Sequence, residues 1–153
     1  MTNPTINWRK ILFETNAPGW SILVRLLVGL VVFLPEGIQK LAFPDELGAG
    51  RFANIGIPYP DLMAPFVGVV EIICGTLIIL GLLTRLAAIP LIIIMIVAMQ
   101  VTAYDPARAA SEGTLSYLFS VMEYLYVLLL LWLAVYGGGT MSLDRFIRHD
   151  TTT

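Results

Sequence analysis

The chain has little to do chemistry with in the usual way. Cys74 is its only cysteine and His149 its only histidine, so no disulfide, iron–sulfur cluster or zinc site can be completed within one chain. A haem held by two histidines is excluded for the same reason. Charged residues make up only 13% of the sequence, about half the share of a soluble domain. A net charge of -2, with no basic run interleaved with aromatics, gives no footing for nucleic acid. What fills the sequence instead is apolar: 58% of its residues are hydrophobic and the mean hydropathy is +0.83. A water-facing surface cannot be built from this composition, and lipid is the main partner it implies. At 153 residues the chain has room for one domain, spanning 1–153.

Gaps between charges locate the membrane spans, because about 20 apolar residues are needed to cross the hydrocarbon core. Only Arg25 interrupts the stretch from Glu14 to Glu36, and only Glu71 that from Asp61 to Arg85. Nothing is charged between Arg85 and Asp105, and only Glu123 lies between Glu112 and Asp144. In lipid the backbone must satisfy its own hydrogen bonds, so such runs are helices. The expected fold class is an all-α membrane protein, an antiparallel bundle of four transmembrane helices near 19–40, 62–84, 86–104 and 114–136. Short interfacial helices are expected at both termini. At the amino end Trp8 and Ile11 accompany Arg9 and Lys10, a mixture suited to the headgroup region, with no cleavable signal. At the carboxyl end Gly137-Gly138-Gly139 closes the last span and Ser142 caps a tail helix carrying Leu143, Phe146 and Ile147.

The connections fit that count. The first is irregular, rich in Pro and Gly, with room for a short helix near 46–54. The second, Leu83-Thr84-Arg85, is a tight hairpin that makes spans two and three antiparallel neighbours. Basic residues number five on the side of the termini (Arg9, Lys10, Arg85, Arg145, Arg148) against three opposite (Lys40, Arg51, Arg108). That bias predicts cytoplasmic termini in a plasma or inner membrane.

Ionisable groups inside a span are expensive and turn to the bundle interior or a cavity. At about 100° per residue, Arg25, Gly29, Glu36 and Lys40 fall within roughly 60° of one another on span one. Glu71 shares a face with Gly68 and Gly75, and Glu123 with Ser116 and Ser120. Both carboxylates lie roughly 12 Å inside the ends of their helices away from the termini, at the level of Glu36, Lys40 and Gln100. Arg25 lies deeper, as the expected counter-charge for Glu71 or Glu123. The resulting expectation is a polar core in which Glu71 and Glu123 relay protons while Arg25, Glu36, Lys40, Gln100 and Tyr104 bind a ligand. A register-fixing ion pair without chemistry is the plain alternative for each. Cys74 reads as a packing residue.

Several segments resemble one family. Arg25-Leu-Leu-Val-Gly29 followed by Glu36-Gly-Ile-Gln-Lys40 is similar to the opening motif of DoxX proteins, and Gly56-Ile-Pro-Tyr-Pro60 leading to Val70-Glu71 to their second-helix motif. Leu80-Gly-Leu-Leu-Thr-Arg85 resembles their hairpin, and Gly137-Gly-Gly139 with Ser142-Leu-Asp144 their closing Gly-Pro-Gly…Ser-Leu-Asp, Gly138 standing for the proline. Together these segments span most of residues 20–146. The resemblance implies a four-helix membrane protein of a family often labelled oxidoreductase, with name-giving relatives linked to thiosulfate oxidation and electron transfer to quinone. On that footing the chain is expected to be a redox-associated membrane subunit that binds a quinone or similar small amphipathic ligand together with a soluble redox partner enzyme. Any cofactor would be neither covalent nor held through metal ligands. A non-enzymatic anchor or assembly subunit, or a small-molecule or proton transporter, is the alternative. Whether it is an enzyme, and whether it forms a homo-oligomer, the sequence leaves open.

Overall fold

The computed structural model describes residues 15–103 and 113–150, with the side chains of 102–103, 113–122 and 148–150 left out. The described residues are helical and contain no strand. We number the helices α1 (Ser21–Ala42), α2 (Ala49–Asn54), α3 (Pro60–Leu80), α4 (Thr84–Ala103), α5 (Gly113–Tyr136) and α6 (Leu143–Asp150). Three of them, α1, α3 and α4, have the length and hydropathy to cross a membrane. α5 is longer still at 24 residues. α2 falls where the first connection left room for it, and α6 where Ser142 was expected to cap the tail. The amino-terminal interfacial helix expected around residues 6–13 lies outside the described residues, as does the connection 104–112.

The long helices alternate in direction and pack in chain order, α1 on α3, α3 on α4 and α4 on α5. Val28, Phe33, Ile78, Leu91, Leu130 and Leu133 form the centre of the buried core. The outer faces are apolar as well: Leu23, Phe66, Ile93 and Leu128 are each more than half exposed. A soluble monomer does not present apolar surface on all sides, whereas a bundle solvated by lipid does. Thr76 on the outer face keeps its hydroxyl satisfied by donating to the Ile72 carbonyl of its own helix at 2.7 Å.

α1 is not a uniform α-helix, and this changes which residues face inward. Leu27–Phe33 is a π-helical segment, with the Leu34 N–H reaching the Gly29 carbonyl five residues back. Pro35 gives a local reason, since it donates no N–H and its ring crowds the Val31 carbonyl. In an unbroken α-helix Ser21 and Gly37 would stand roughly 160° apart. The wider π turns remove most of that drift, so Ser21, Arg25, Gly29, Phe33 and Gly37 are all buried against the bundle. Gly37 thereby takes the inward place expected of Glu36, whose side chain is left 48% exposed. Glycine is required there: a Cβ on Gly37 would lie 2.6 Å from the Gly68 carbonyl oxygen of α3. Gly29 meets the Gly75 carbonyl in the same way one contact further along, so α1 and α3 touch backbone to backbone.

The hairpin sits two residues earlier than expected, at 81–83. α3 ends at Leu80, Gly81 takes a left-handed conformation (φ 67°) as the C-cap, and α4 already begins at Thr84. Arg85 is thus a helix residue. At the same end of the bundle Trp20 stacks on Trp132 with ring centroids 5.2 Å apart, and Tyr136 lies tilted against Trp132 at 5.4 Å. Such an aromatic cluster suits the level of a membrane interface.

Candidate functional site

Three of the residues nominated from sequence come together between α1 and α3. Lys40, in the last turn of α1, reaches Glu36 one turn back at 3.2 Å and Glu71 of α3 at 2.8 Å. Its side chain is 11% exposed and that of Glu71 5%. The close approach of Gly37 to Gly68 and to the Glu71 Cβ makes this reach short enough. One lysine is thus shared by two carboxylates, and one negative charge is left over when both are ionised. With Glu36 at the surface and Glu71 buried, the cluster links the interior of the bundle to its periphery.

Arg25 is not part of that cluster. Lys40, and not Arg25, is the base that meets Glu71. Arg25 packs by Ile79, eight residues further along α3, roughly 12 Å from the level of Glu71. It is 1% exposed and donates to the carbonyls of Ile79, at 3.3 Å, and Met141. The carboxylate whose field acts on it is Asp144. Arg25 faces inward as its stripe on α1 implied, but the packing of α1 on α3 sets it at the level of Ile79, beyond the reach of its side chain to Glu71.

Glu123 is half buried on α5, about 15 Å inside the helix end and so at much the same depth as Glu71. Gln100 is exposed on the outside of α4 and is not brought to the Lys40 cluster. Tyr104 lies outside the described residues, and the side chains of Ser116 and Ser120 do as well.

A second polar assembly, not anticipated from the sequence, lies at the end of the bundle where the start of α1, the α3–α4 hairpin and the start of α6 meet. Asp144, 2% exposed in the first turn of α6, accepts from the Leu83 N–H at 2.7 Å, the Thr84 N–H at 3.2 Å and the Thr84 hydroxyl at 3.3 Å. It therefore caps the start of α4 from a distance of sixty residues in sequence. Burial pushes the Asp144 carboxyl above the usual carboxylate range, while these bonds and the Arg25 charge pull it back. Its own N–H donates to the Gly81 carbonyl at 3.0 Å. Ser21 donates to the Gly138 carbonyl at 2.8 Å, and Ser142 to that of Gly139 at 2.6 Å. The signal for this lock was the closing Ser142-Leu143-Asp144 motif, whose partner could not be read from the sequence.

An open cleft of about 630 Å³ lies beside this lock, between the start of α1, the end of α3 and α6. Arg25 and Arg145 line it together with apolar side chains that include Ile22, Ile79 and Phe146. Among the described residues no group of three His, Cys, Asp or Glu is placed to hold a metal ion. Cys74 is buried among core residues, as a packing side chain would be.

The DoxX family model matches residues 21–105. An uncharacterized membrane protein of Mycobacterium tuberculosis is 47% identical over 151 residues, covering 95% of this chain and 91% of the relative. An uncharacterized protein of Haemophilus influenzae is 31% identical over 135 residues, 86% of this chain and 93% of its own. A Bacillus subtilis protein named "Putative oxidoreductase CatD" is 28% identical over 129 residues, 83% of this chain and 86% of its own. No solved structure matches.

Proposed function

The chain belongs to the DoxX family of membrane proteins, and from that premise we propose that it is a redox-associated integral membrane subunit whose Lys40–Glu71 cluster serves a quinone or similar small amphipathic ligand. α5 is the fourth span in this reading, and the termini with α6 lie at the cytoplasmic surface of the plasma or inner membrane. The five-to-three excess of basic residues on that side supports the orientation. Electrons come from a soluble partner enzyme in this reading, since one cysteine and one histidine cannot complete an iron–sulfur, zinc or bis-histidine haem centre. The name of the Bacillus subtilis relative supports the redox assignment.

The observation that carries the reading is one lysine shared by two carboxylates inside a span. A register-fixing pair needs only one carboxylate, whereas here the half-exposed Glu36 shares the lysine that meets the buried Glu71. A surplus carboxylate is suited to hold a proton and release it. Reduction of a quinone takes two electrons and two protons, so the electron donor is not sufficient by itself. Lys40 donates a hydrogen bond to a ligand carbonyl, Glu71 supplies a proton, and Glu36 at the rim restores it from the aqueous side. Glu123 is at the right depth to serve the second proton.

Small molecules extracted from gently purified protein and from its Glu71→Gln variant test this directly. Quinone enriched with the wild type and lost from the variant is the expected result; bulk lipid alone in both would end the quinone assignment. A second reading, a non-enzymatic anchor or proton-coupled transporter, draws on the same surplus charge. It is favoured if a redox enzyme co-purifies with wild type and Glu71→Gln alike.

A further inference from the structure

We propose that the cleft beside α6 is a binding site for the headgroup of an anionic phospholipid from the leaflet that faces the termini. The inference is independent of the quinone reading, which concerns the opposite half of the bundle.

Two cations line the cleft, Arg25 from α1 and Arg145 from α6. The carboxylate whose field acts on Arg25, Asp144, has its oxygens occupied by Leu83 and Thr84. Among the described residues, two positive charges against that one negative charge leave the site basic. Arg25 is 1% exposed, its terminal nitrogens are given to neutral carbonyls, and its Nε is buried without a hydrogen-bond partner among the described residues. A charge held in this way within apolar surroundings draws an anion towards it.

The rest of the cleft fits an amphiphile better than a free anion. Its walls are apolar, formed in part by Ile22, Ile79, Leu80 and Phe146. Leu80 and Phe146 are 47% and 68% exposed, so the cleft runs out onto the lipid-facing side of α3 and the apolar face of α6. A phosphate resting between the two arginines would leave its acyl chains along that apolar surface. The stacked Trp20 and Trp132 belong to the same end of the bundle, where headgroups lie. Basic pockets between helices on the cytoplasmic side are suited to anionic headgroups in general. Occupancy by the chain's own amino-terminal residues is disfavoured by charge, since 1–14 bring Arg9 and Lys10 against Glu14 alone.

Full-length protein in neutral detergent, titrated with phosphatidylglycerol or phosphatidylcholine and read by native mass spectrometry, tests the site. Phosphatidylglycerol should be retained at least about fivefold more strongly, the effect of about one arginine near a lipid phosphate. Arg145→Gln, at an exposed position, should remove most of that preference with an unchanged melting temperature, and Arg145→Lys should keep it. Equal retention of the two lipids by the wild type would overturn the proposal, as would a preference that survives Arg145→Gln. Displacement of the lipid by millimolar inorganic phosphate would overturn it too, in favour of a free-anion site.

Discussion

Lys40 and Asp144 each hold several groups at once, and substitutions there separate function from structure. Lys40→Met removes the cation shared by Glu36 and Glu71 and leaves Glu71 buried beside no base. Breaking such a pair from one side costs about 3–5 kcal/mol unless the carboxyl takes a proton. The double variant Lys40→Met/Glu71→Gln should therefore recover most of the thermal stability lost by Lys40→Met; a double variant as unstable as the single one would show that the ion pair does not govern the loss. Asp144→Ala removes the acceptor for three hydrogen bonds at the start of α4 and the carboxylate nearest Arg25. A lost cap alone costs about 1–2 kcal/mol, so the detergent melting temperature should drop clearly, while ligand retention at the Lys40 cluster persists at temperatures where the protein is folded. The sequence made Lys40 and Glu71 legible because charges inside an apolar run are conspicuous. Asp144 passed as a tail residue because it lies outside every span.

The decisive element is α1. Its π segment sets which side chains meet α3, and the glycines at 29 and 37 set how closely. A side chain at 37 collides with backbone, which cannot yield as a flexible side-chain end can. Gly37→Val should separate α1 from α3 and open the Lys40–Glu71 contact, lowering both melting temperature and ligand retention. Gly56→Ala is the control: a Cβ there meets nothing within 4 Å, and only the positive φ of 77° is strained. A Gly37→Val protein as stable and as competent as the Gly56→Ala control would show that the close approach does not matter. Hydrophobic spacing revealed that α1 exists and where it runs, near 19–40 by sequence and 21–42 in the structure. It could not reveal the π turns, because every residue from 27 to 33 except glycine is apolar and suits either winding.

At the scale of the molecule, the tail closes the bundle. α6 is joined to the α3–α4 hairpin through Asp144, while Arg25 and Ser21 of α1 reach Met141 and Gly138 in the turn before it. The end bearing the termini is thus tied by polar contacts, while the opposite half holds the Lys40 cluster. The proposed four-span arrangement predicts a labelling pattern. In a Cys74→Ala background, a cysteine at position 46 should react in intact cells with a membrane-impermeant maleimide, whereas one at position 153 should react only after lysis. Labelling of both in intact cells would mean an odd number of crossings, and labelling of position 153 alone would mean inverted termini.

The amino-acid sequence alone determined the membrane character, the positions of the long helices and the identity of the intramembrane charges, because hydropathy and charge spacing are local properties of the chain. It also carried the family resemblance, which the DoxX match over residues 21–105 bears out. Which charge meets which was decided only in three dimensions. The π segment turns Gly37 inward in place of Glu36, and the level at which α1 packs on α3 sets Lys40 beside Glu71 and Arg25 beside the carbonyls of Ile79 and Met141. The tail lock likewise depends on chain segments sixty or more residues apart, and no local pattern encodes a partner at that separation.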